Sequence, residues 1–269
     1  MKIDLHIHSS KSDGTDSPKQ IVDKAVSLGL TTIALTDHDT IAGLDELKNN
    51  AQSTNLNVIN GIELSTYSNC EAHILGYNFD IDSDVLAQAI VDFAEQRRKR
   101  VKQIVDRLWQ FNIKVDWDKI KDQNSLGRMH VAQELIKSGY VSGVNEAFER
   151  YLGPRGIAYV PSKRITPMQG VQLIRKAKGQ AFIAHPLRFL QDRRLEDYLA
   201  GLKPFGLTGL EVYYPTHDEK TIQELLKLAN KYRLAVSGGT DYHGKNKNVE
   251  MGSIQVNLPA QSKKMLGVK

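Results

Sequence analysis

Lys2-Ile3-Asp4-Leu5-His6-Ile7-His8 alternates polar and apolar side chains at a period of two, the pattern of a β-strand. Ser17-Pro18 then reads as a helix start, a capping hydroxyl ahead of a proline, and residues 19–28 form a helix stopped by Gly29. Residues 31–35 read as a second strand that runs into Thr36-Asp37-His38-Asp39. Strand, helix, strand in this order is the start of an α/β fold with a mostly parallel sheet or barrel.

The same alternation extends outward. A helix is expected over 40–53, and strands over 57–64 and 71–77. Near residue 80 the pattern changes to one long helical stretch, 83–110, which carries the basic run Arg97-Arg98-Lys99-Arg100. Shorter helices follow at 130–138 and 144–151, with glycines between them. From residue 165 the strand–helix alternation resumes: helix 167–178, strand 180–184, strand 209–213, helix 219–232, strand 234–237, and a last strand at 253–258. The expected organisation is a barrel domain made of 1–79 and 161–269, interrupted by a helical insertion at 80–160.

Bulk properties bound the function. A chain of 269 residues, 41% of them hydrophobic, can bury one large core. Lys and Arg number 36 against 31 Asp and Glu, and a net charge of +5 suits an anionic substrate as well as an ordinary basic protein. The single cysteine, Cys70, excludes an internal disulfide and fits a reducing compartment. The N-terminus is too polar for a signal peptide, and no apolar run approaches the roughly 18 residues of a membrane span. The expectation is a cytoplasmic protein with no membrane association and no obligate protein partner.

The chemistry lies in where the histidines and acids fall. His6 and His8, two residues apart on one strand, project from the same face. Asp13 follows in the loop Ser12-Asp13-Gly14-Thr15, and His38 ends the second strand between Asp37 and Asp39. Glu63 ends the third strand in Gly61-Ile62-Glu63, and His73 lies on the fourth. His185 ends another in Ala184-His185-Pro186, and Asp241 and His243 close a further one in Thr240-Asp241-Tyr242-His243. Six of the 8 histidines thus sit at or beside strand ends, which in a barrel converge on one face. Imidazole and carboxylate ligands without thiolates suit Mn, Fe or Zn, and so many ligands exceed what one ion takes.

These motifs, with Asp4-Leu5-His6-Ile7-His8 at their head, resemble in order and spacing those of the PHP (polymerase and histidinol phosphatase) family. The resemblance implies a distorted (β/α)7 barrel. It also implies a site of two to three divalent ions, manganese first, with Fe2+ or Zn2+ as the alternatives. Carried over by residue, His6, His8, Glu63 and Asp241 hold the first ion. Glu63 bridges to a second, completed by His73 and His185, while Asp13, His38 and His243 hold the third. Asp37 and Asp39 are expected as supporting carboxylates that orient imidazoles.

Within the family, the insertion and Gly127-Arg128-Met129-His130 resemble the branch of nucleoside 3′,5′-bisphosphate phosphatases, AMP phosphatases and the exoribonuclease RNase AM. On that resemblance Arg128 and His130 bind a substrate phosphate, which a guanidinium fork and an imidazole donor are equipped to do. The basic run 97–100 reads first as a solvated helix face and second as an RNA-binding stripe. Tyr214 is expected to line the pocket, and His217 to lie at a helix start. The implied activity is hydrolysis of a phosphomonoester on a small nucleotide by metal-activated water. The alternatives are 5′-to-3′ trimming of short RNA ends, a histidinol-phosphatase-like activity, and a polymerase-associated module. The complete ligand set and the short chain count against the last.

Overall fold

The computed structural model describes residues 2–68, 70–123, 126–188 and 193–268. Strand β1 (Ile3–Ile7) is followed by α1 (Pro18–Ser27), β2 (Thr32–Leu35), α2 (Leu44–Ala51), β3 (Asn57–Ser68) and β4 (Cys70–Tyr77). Helices α3 (Asp84–Gln110), α4 (Trp117–Ile120), α5 (Arg128–Lys137) and α6 (Val144–Ala147) come next. The alternation returns with α7 (Pro167–Lys176), β5 (Gln180–Ile183), α8 (Arg193–Leu202), β6 (Leu207–Tyr213), α9 (Glu219–Lys231), β7 (Ala235–Gly238) and α10 (Ala260–Leu266).

Two helices of the barrel begin on the same local device. Ser17-Pro18-Lys19-Gln20 and Thr166-Pro167-Met168-Gln169 each place a hydroxyl at the N-cap, a proline in the first turn and a glutamine at the third position. In both, the hydroxyl accepts from the glutamine N–H while the glutamine carbonyl accepts from the cap N–H. Each cap contributes about 1 kcal/mol and fixes where the helix starts.

The seven strands form one sheet in sequential order, β1 to β7. Four of its pairings are parallel, but β4 runs antiparallel to both β3 and β5. The connection from β3 to β4 is too short for a parallel crossover, so the chain reverses as a hairpin. That hairpin also carries β3 to Ser68, so Glu63 lies inside the strand and not at its end as the sequence suggested. The sheet curls into a distorted barrel whose last seam is closed by the segment after β7. Tyr242 donates its N–H to His6 O and accepts from His8 N–H at 2.8 Å. Beside it, buried Asp4 accepts from Thr240 N, Thr240 Oγ1 and Gly252 N. Gly239 must be glycine at this seam, since a Cβ there would meet His6 N at 2.3 Å.

The expected strand at 253–258 is absent, and the residues there are irregular. The alternation that suggested it is genuine, because Val256 and Leu258 are buried while Ser253 and Gln255 are exposed. It reflects packing without pairing: the Tyr213 hydroxyl donates to Asn257 O, and β1 is already closed by Tyr242.

The chain separates into two compact units, Met1–Gln88 with Ile165–Lys269, and Ala89–Arg164. The second has its own core, in which Val101, Ile104, Val105 and Leu108 of α3 pack with Val131, Leu135 and Leu152. No helix among the described residues is long and apolar enough to cross a membrane.

Candidate metal centre

The carboxyl ends of β1, β2, β5 and β7 meet at one end of the sheet. His73 reaches that end from the early part of β4, because β4 runs the other way. Glu63, fully buried, stands at the centre. Its Oε1 lies 2.9 Å from His73 Nδ1 and 2.9 Å from His185 Nε2. Its Oε2 lies 3.4 Å from His6 Nε2, 3.2 Å from His8 Nε2 and 3.2 Å from His38 Nδ1. Asp241 Oδ1 adds contacts to His6 Nε2 at 3.6 Å and His8 Nε2 at 3.3 Å.

Ligand-type atoms fall into three overlapping groups, each within 4.8 Å: His6, His8, Glu63 and Asp241; His8, Asp13, His38 and His243; and His38, Glu63 and His73. All nine metal-ligand candidates are therefore gathered, His185 joining through Glu63. The grouping is more shared than the sequence assignment, since His8 serves two groups and His38 stands beside both Glu63 and Asp13. Asp13, with 41% of its side chain exposed, is the most open of the nine.

At His6 and His243 the lone pair points inward because an outer partner takes the other ring nitrogen. His6 Nδ1 lies 2.9 Å from Glu211 Oε1 and His243 Nδ1 lies 2.8 Å from the Asp241 carbonyl. Both acceptors require an Nδ1–H, which leaves Nε2 as the ligand atom. His6 Nε2, both ring nitrogens of His8 and Glu63 Oε2 are buried and make no hydrogen bond among the described residues. Buried polar atoms left without partners and gathered in one place call for an occupant, and a cation between them supplies it. The donor set thus fits divalent metal ions.

Charge balance within the protein follows the same geometry. Burial works against protonated His8, but the carboxylates of Asp241, Glu63 and Asp13 close to its ring raise it to about 10. His73 is likewise raised to about 9, burial being outweighed by Glu63 and Glu71. Burial prevails at His38, held down to about 3, and at His185, also lowered. Burial opposes ionisation of Glu63, Asp241 and Asp13, yet the surrounding imidazoles hold all three well below the usual carboxylate range.

Backbone conformation is bent to the same end. Asp39, His185 and Asp241 have φ of 54°, 25° and 54°, values that persist in L residues only where the surroundings hold them. The loop carrying Asp13 is tied down by Asp37, which accepts from Ser9 N, Ser9 Oγ and Ser12 Oγ. Asp37, expected to support an imidazole, steadies this loop through its carboxylate. Asp39 Oδ1 accepts from Ser65 N–H, two residues past Glu63. Tyr214 does reach the site, donating to Asp241 Oδ2 at 2.9 Å, and Lys247 binds the same oxygen. His217 caps back onto Val212 O just ahead of α9.

Sequence reasoning missed Glu211, Lys247 and the structural role of Asp4. For Glu211 a signal existed, a lone acid in the otherwise uncharged strand β6. Lys247 is a loop lysine with no such mark. Arg128 and His130 open α5 in the second unit. Arg128 donates to Leu152 O and stacks its guanidinium 5.1 Å from the Phe148 ring, while His130 Nδ1 accepts from Gly127 N–H.

An α/β barrel whose strand ends pool imidazoles and carboxylates around buried orphan acceptors defines a metal-dependent hydrolase. The chain belongs to the PHP domain family, which it matches over residues 4–141. It is 33% identical over 255 residues to a 5′-3′ exoribonuclease of Haemophilus influenzae, covering 93% of each chain. It is 31% identical over 247 residues to a 3′,5′-nucleoside bisphosphate phosphatase of Chromobacterium violaceum, covering 90% of this chain and 87% of that one. A solved structure from Bifidobacterium adolescentis superposes with a TM-score of 0.85 at 26% identity, over 98% of this chain and 94% of that chain. The protein is a metal-dependent phosphoesterase.

Metal ions and protons compete for the same nitrogens, so the sign of the pH dependence follows. His8 and His73 hold their protons to about 10 and about 9 in the metal-free chain, and each must shed one to become a ligand. Apparent metal affinity is expected to rise steadily from pH 6.5 to about 9. Calorimetric titration with Zn2+ in buffers of different ionisation heat should register net proton release. A flat pH profile with no release contradicts this charge balance.

Proposed function

We propose that the chain hydrolyses a terminal phosphomonoester of a small nucleotide, a nucleoside bisphosphate or monophosphate, using two to three divalent ions. The observation that carries the reading is the pooled donor set around Glu63, too many imidazoles and carboxylates for one ion. His6, His8, Glu63 and Asp241 hold one ion. Glu63 with His73 and His185 holds a second, and Asp13, His38 and His243, with His8 alongside, hold a third. Divalent ions bound there supply Lewis acidity toward phosphoryl oxygens and activate water, and manganese is the first choice for this nitrogen–oxygen set. A terminal phosphate offers three free oxygens to such a site, whereas an internal diester offers two and less charge.

The residues themselves do the rest. Glu63 and Asp241 keep their charge at neutral pH and so remain ligands. Tyr214, its hydroxyl pushed further up by burial and Asp241, stays a hydrogen-bond donor to Asp241 Oδ2. Arg128 and His130 contact a substrate phosphate. Support comes from the second unit, where Arg100 is lowered to about 10 by burial and by the cations of Arg128 and Arg164. Guanidiniums that repel one another in this way gain from an anion. His130, with Nδ1 accepting at the helix start, carries its ring proton on Nε2. The run at 97–100 divides, with Lys99 paired to Glu95 in solvent while Arg100 turns inward to Val160 O. The lone Cys70 accords with a cytoplasmic setting.

The exoribonuclease relative at 33% identity favours a second reading, stepwise trimming of RNA from its 5′ end. Nucleoside bisphosphate and 5′-phosphorylated oligomers, at equal concentration with Mn2+, separate the two by chromatography. Faster release of inorganic phosphate from the mononucleotide is expected, and faster release of mononucleotides from the oligomer replaces this reading with the second. Cleavage of circular RNA contradicts both.

Arg128→Ala is expected to raise KM and to lower kcat/KM for nucleotides about tenfold or more, the loss of a charge-assisted contact, with metal content intact. Unchanged kinetics return Arg128 to the surface of its helix. Elemental analysis of protein purified without chelators should find two to three ions per chain. Glu63→Gln should lose more metal than His73→Ala, since Glu63 belongs to two of the ligand groups and His73 to one. Less than about one ion per chain in the wild type contradicts a multinuclear centre.

A further inference from the structure

Glu211 is the one charged residue on β6, and it is completely buried. Its two oxygens have separate tasks. Oε1 lies 2.9 Å from His6 Nδ1, and Oε2 accepts the backbone N–H of His185 at 2.6 Å. The two histidines stand on opposite oxygens of Glu63, His6 Nε2 beside Oε2 and His185 Nε2 beside Oε1. His185 also has the φ of 25°, a conformation that needs an outside hold.

We propose that Glu211 is a positioning residue that keeps His6 in its Nδ1–H tautomer and pins the backbone at His185, so that one buried carboxylate presets ligands on both sides of Glu63. The proposal rests on the metal-centre reading above. A carboxylate meets both demands because it is an acceptor at each oxygen. An amide of the same shape cannot. If its oxygen accepts from His185 N–H, its NH2 faces His6 Nδ1 and moves the ring proton to Nε2, where the ligand lone pair should be. If it is turned over, the NH2 confronts the His185 N–H, two donors with nothing to accept them.

Glu211→Gln in the full chain tests this. Zinc affinity is measured by chelator competition, and ring nitrogens by long-range 1H–15N correlation of zinc-loaded, 15N-histidine protein, with His6 assigned from His6→Gln. The wild type is expected to show His6 protonated at Nδ1 and ligating through Nε2. Glu211→Gln is expected to bind zinc about tenfold or more weakly and to lose that His6 signature. Glu211→Asp, which keeps both acceptors, should recover the Nδ1–H signature. A Glu211→Gln protein with wild-type zinc affinity and an unchanged His6 ring overturns the proposal while leaving the metal centre standing. A wild-type chain that takes up no zinc overturns both. Should Glu211→Gln fail to fold, the wild-type spectrum decides: a His6 proton on Nε2 overturns the proposal, and one on Nδ1 in contact with a carboxylate supports it.

Discussion

Glu63 is a carboxylate with no exposure to solvent, and it has five imidazole nitrogens within 3.4 Å. An isolated buried charge would cost more than any single contact returns, so the carboxylate can exist there only because partners surround it. Those partners come from β1, from the turn after β2, from β4 and from the end of β5. Each must arrive at the same point from a different part of the chain. The barrel's curl, the reversal of β4 and the bent backbone at His185 and Asp39 all serve that convergence. The same arrangement makes the centre a metal site, because imidazoles and carboxylates that compensate one another are also the donors a divalent cation accepts.

Closure of the barrel is the second half of this construction. Asp241 and His243 lie beyond β7, and they reach His6 and His8 only because Tyr242 pairs with β1 across the seam. Asp4 accepts three hydrogen bonds from Thr240 and Gly252 to hold that seam, and the absence of a side chain at Gly239 lets the backbones approach. Asp241 then divides its oxygens. Oδ1 faces His6 and His8, while Oδ2 is taken by Tyr214 and Lys247. The outer donors leave only one oxygen for a metal ion, so they set the geometry of the ligand as well as its position. Glu211 does the same from the other side of the cluster.

Much of this was legible in the residues. The order of strands and helices follows from periodicity and from caps such as Ser17-Pro18 and Thr166-Pro167, which act within one helical turn and need no distant partner. The nine ligand candidates were legible because histidines and acids at strand ends have few other reasons to recur there, whereas the sharing of His8 and His38 between groups depends on the folded geometry. Less was legible where a side chain's partner is remote in sequence. Asp37 looked like a neighbour of His38, but its carboxylate turns to Ser9 and Ser12. Glu211 carried only the mark of a lone acid on an uncharged strand, and its meaning depends on His6, 205 positions away.

The α/β class and the imidazole-and-carboxylate character of the centre could be read along the chain, because periodicity, capping and residue type are local properties. Tertiary structure alone decided the direction of β4, the length of β3 beyond Glu63, and the failure of 253–258 to pair despite its alternating pattern. It also decided which lone pair each histidine offers, since the tautomers of His6 and His243 are set by acceptors at Glu211 and Asp241. The physical reason is common to all of these: a hydrogen bond to a buried group is specified by where the whole chain brings the two atoms, and no local pattern contains that information.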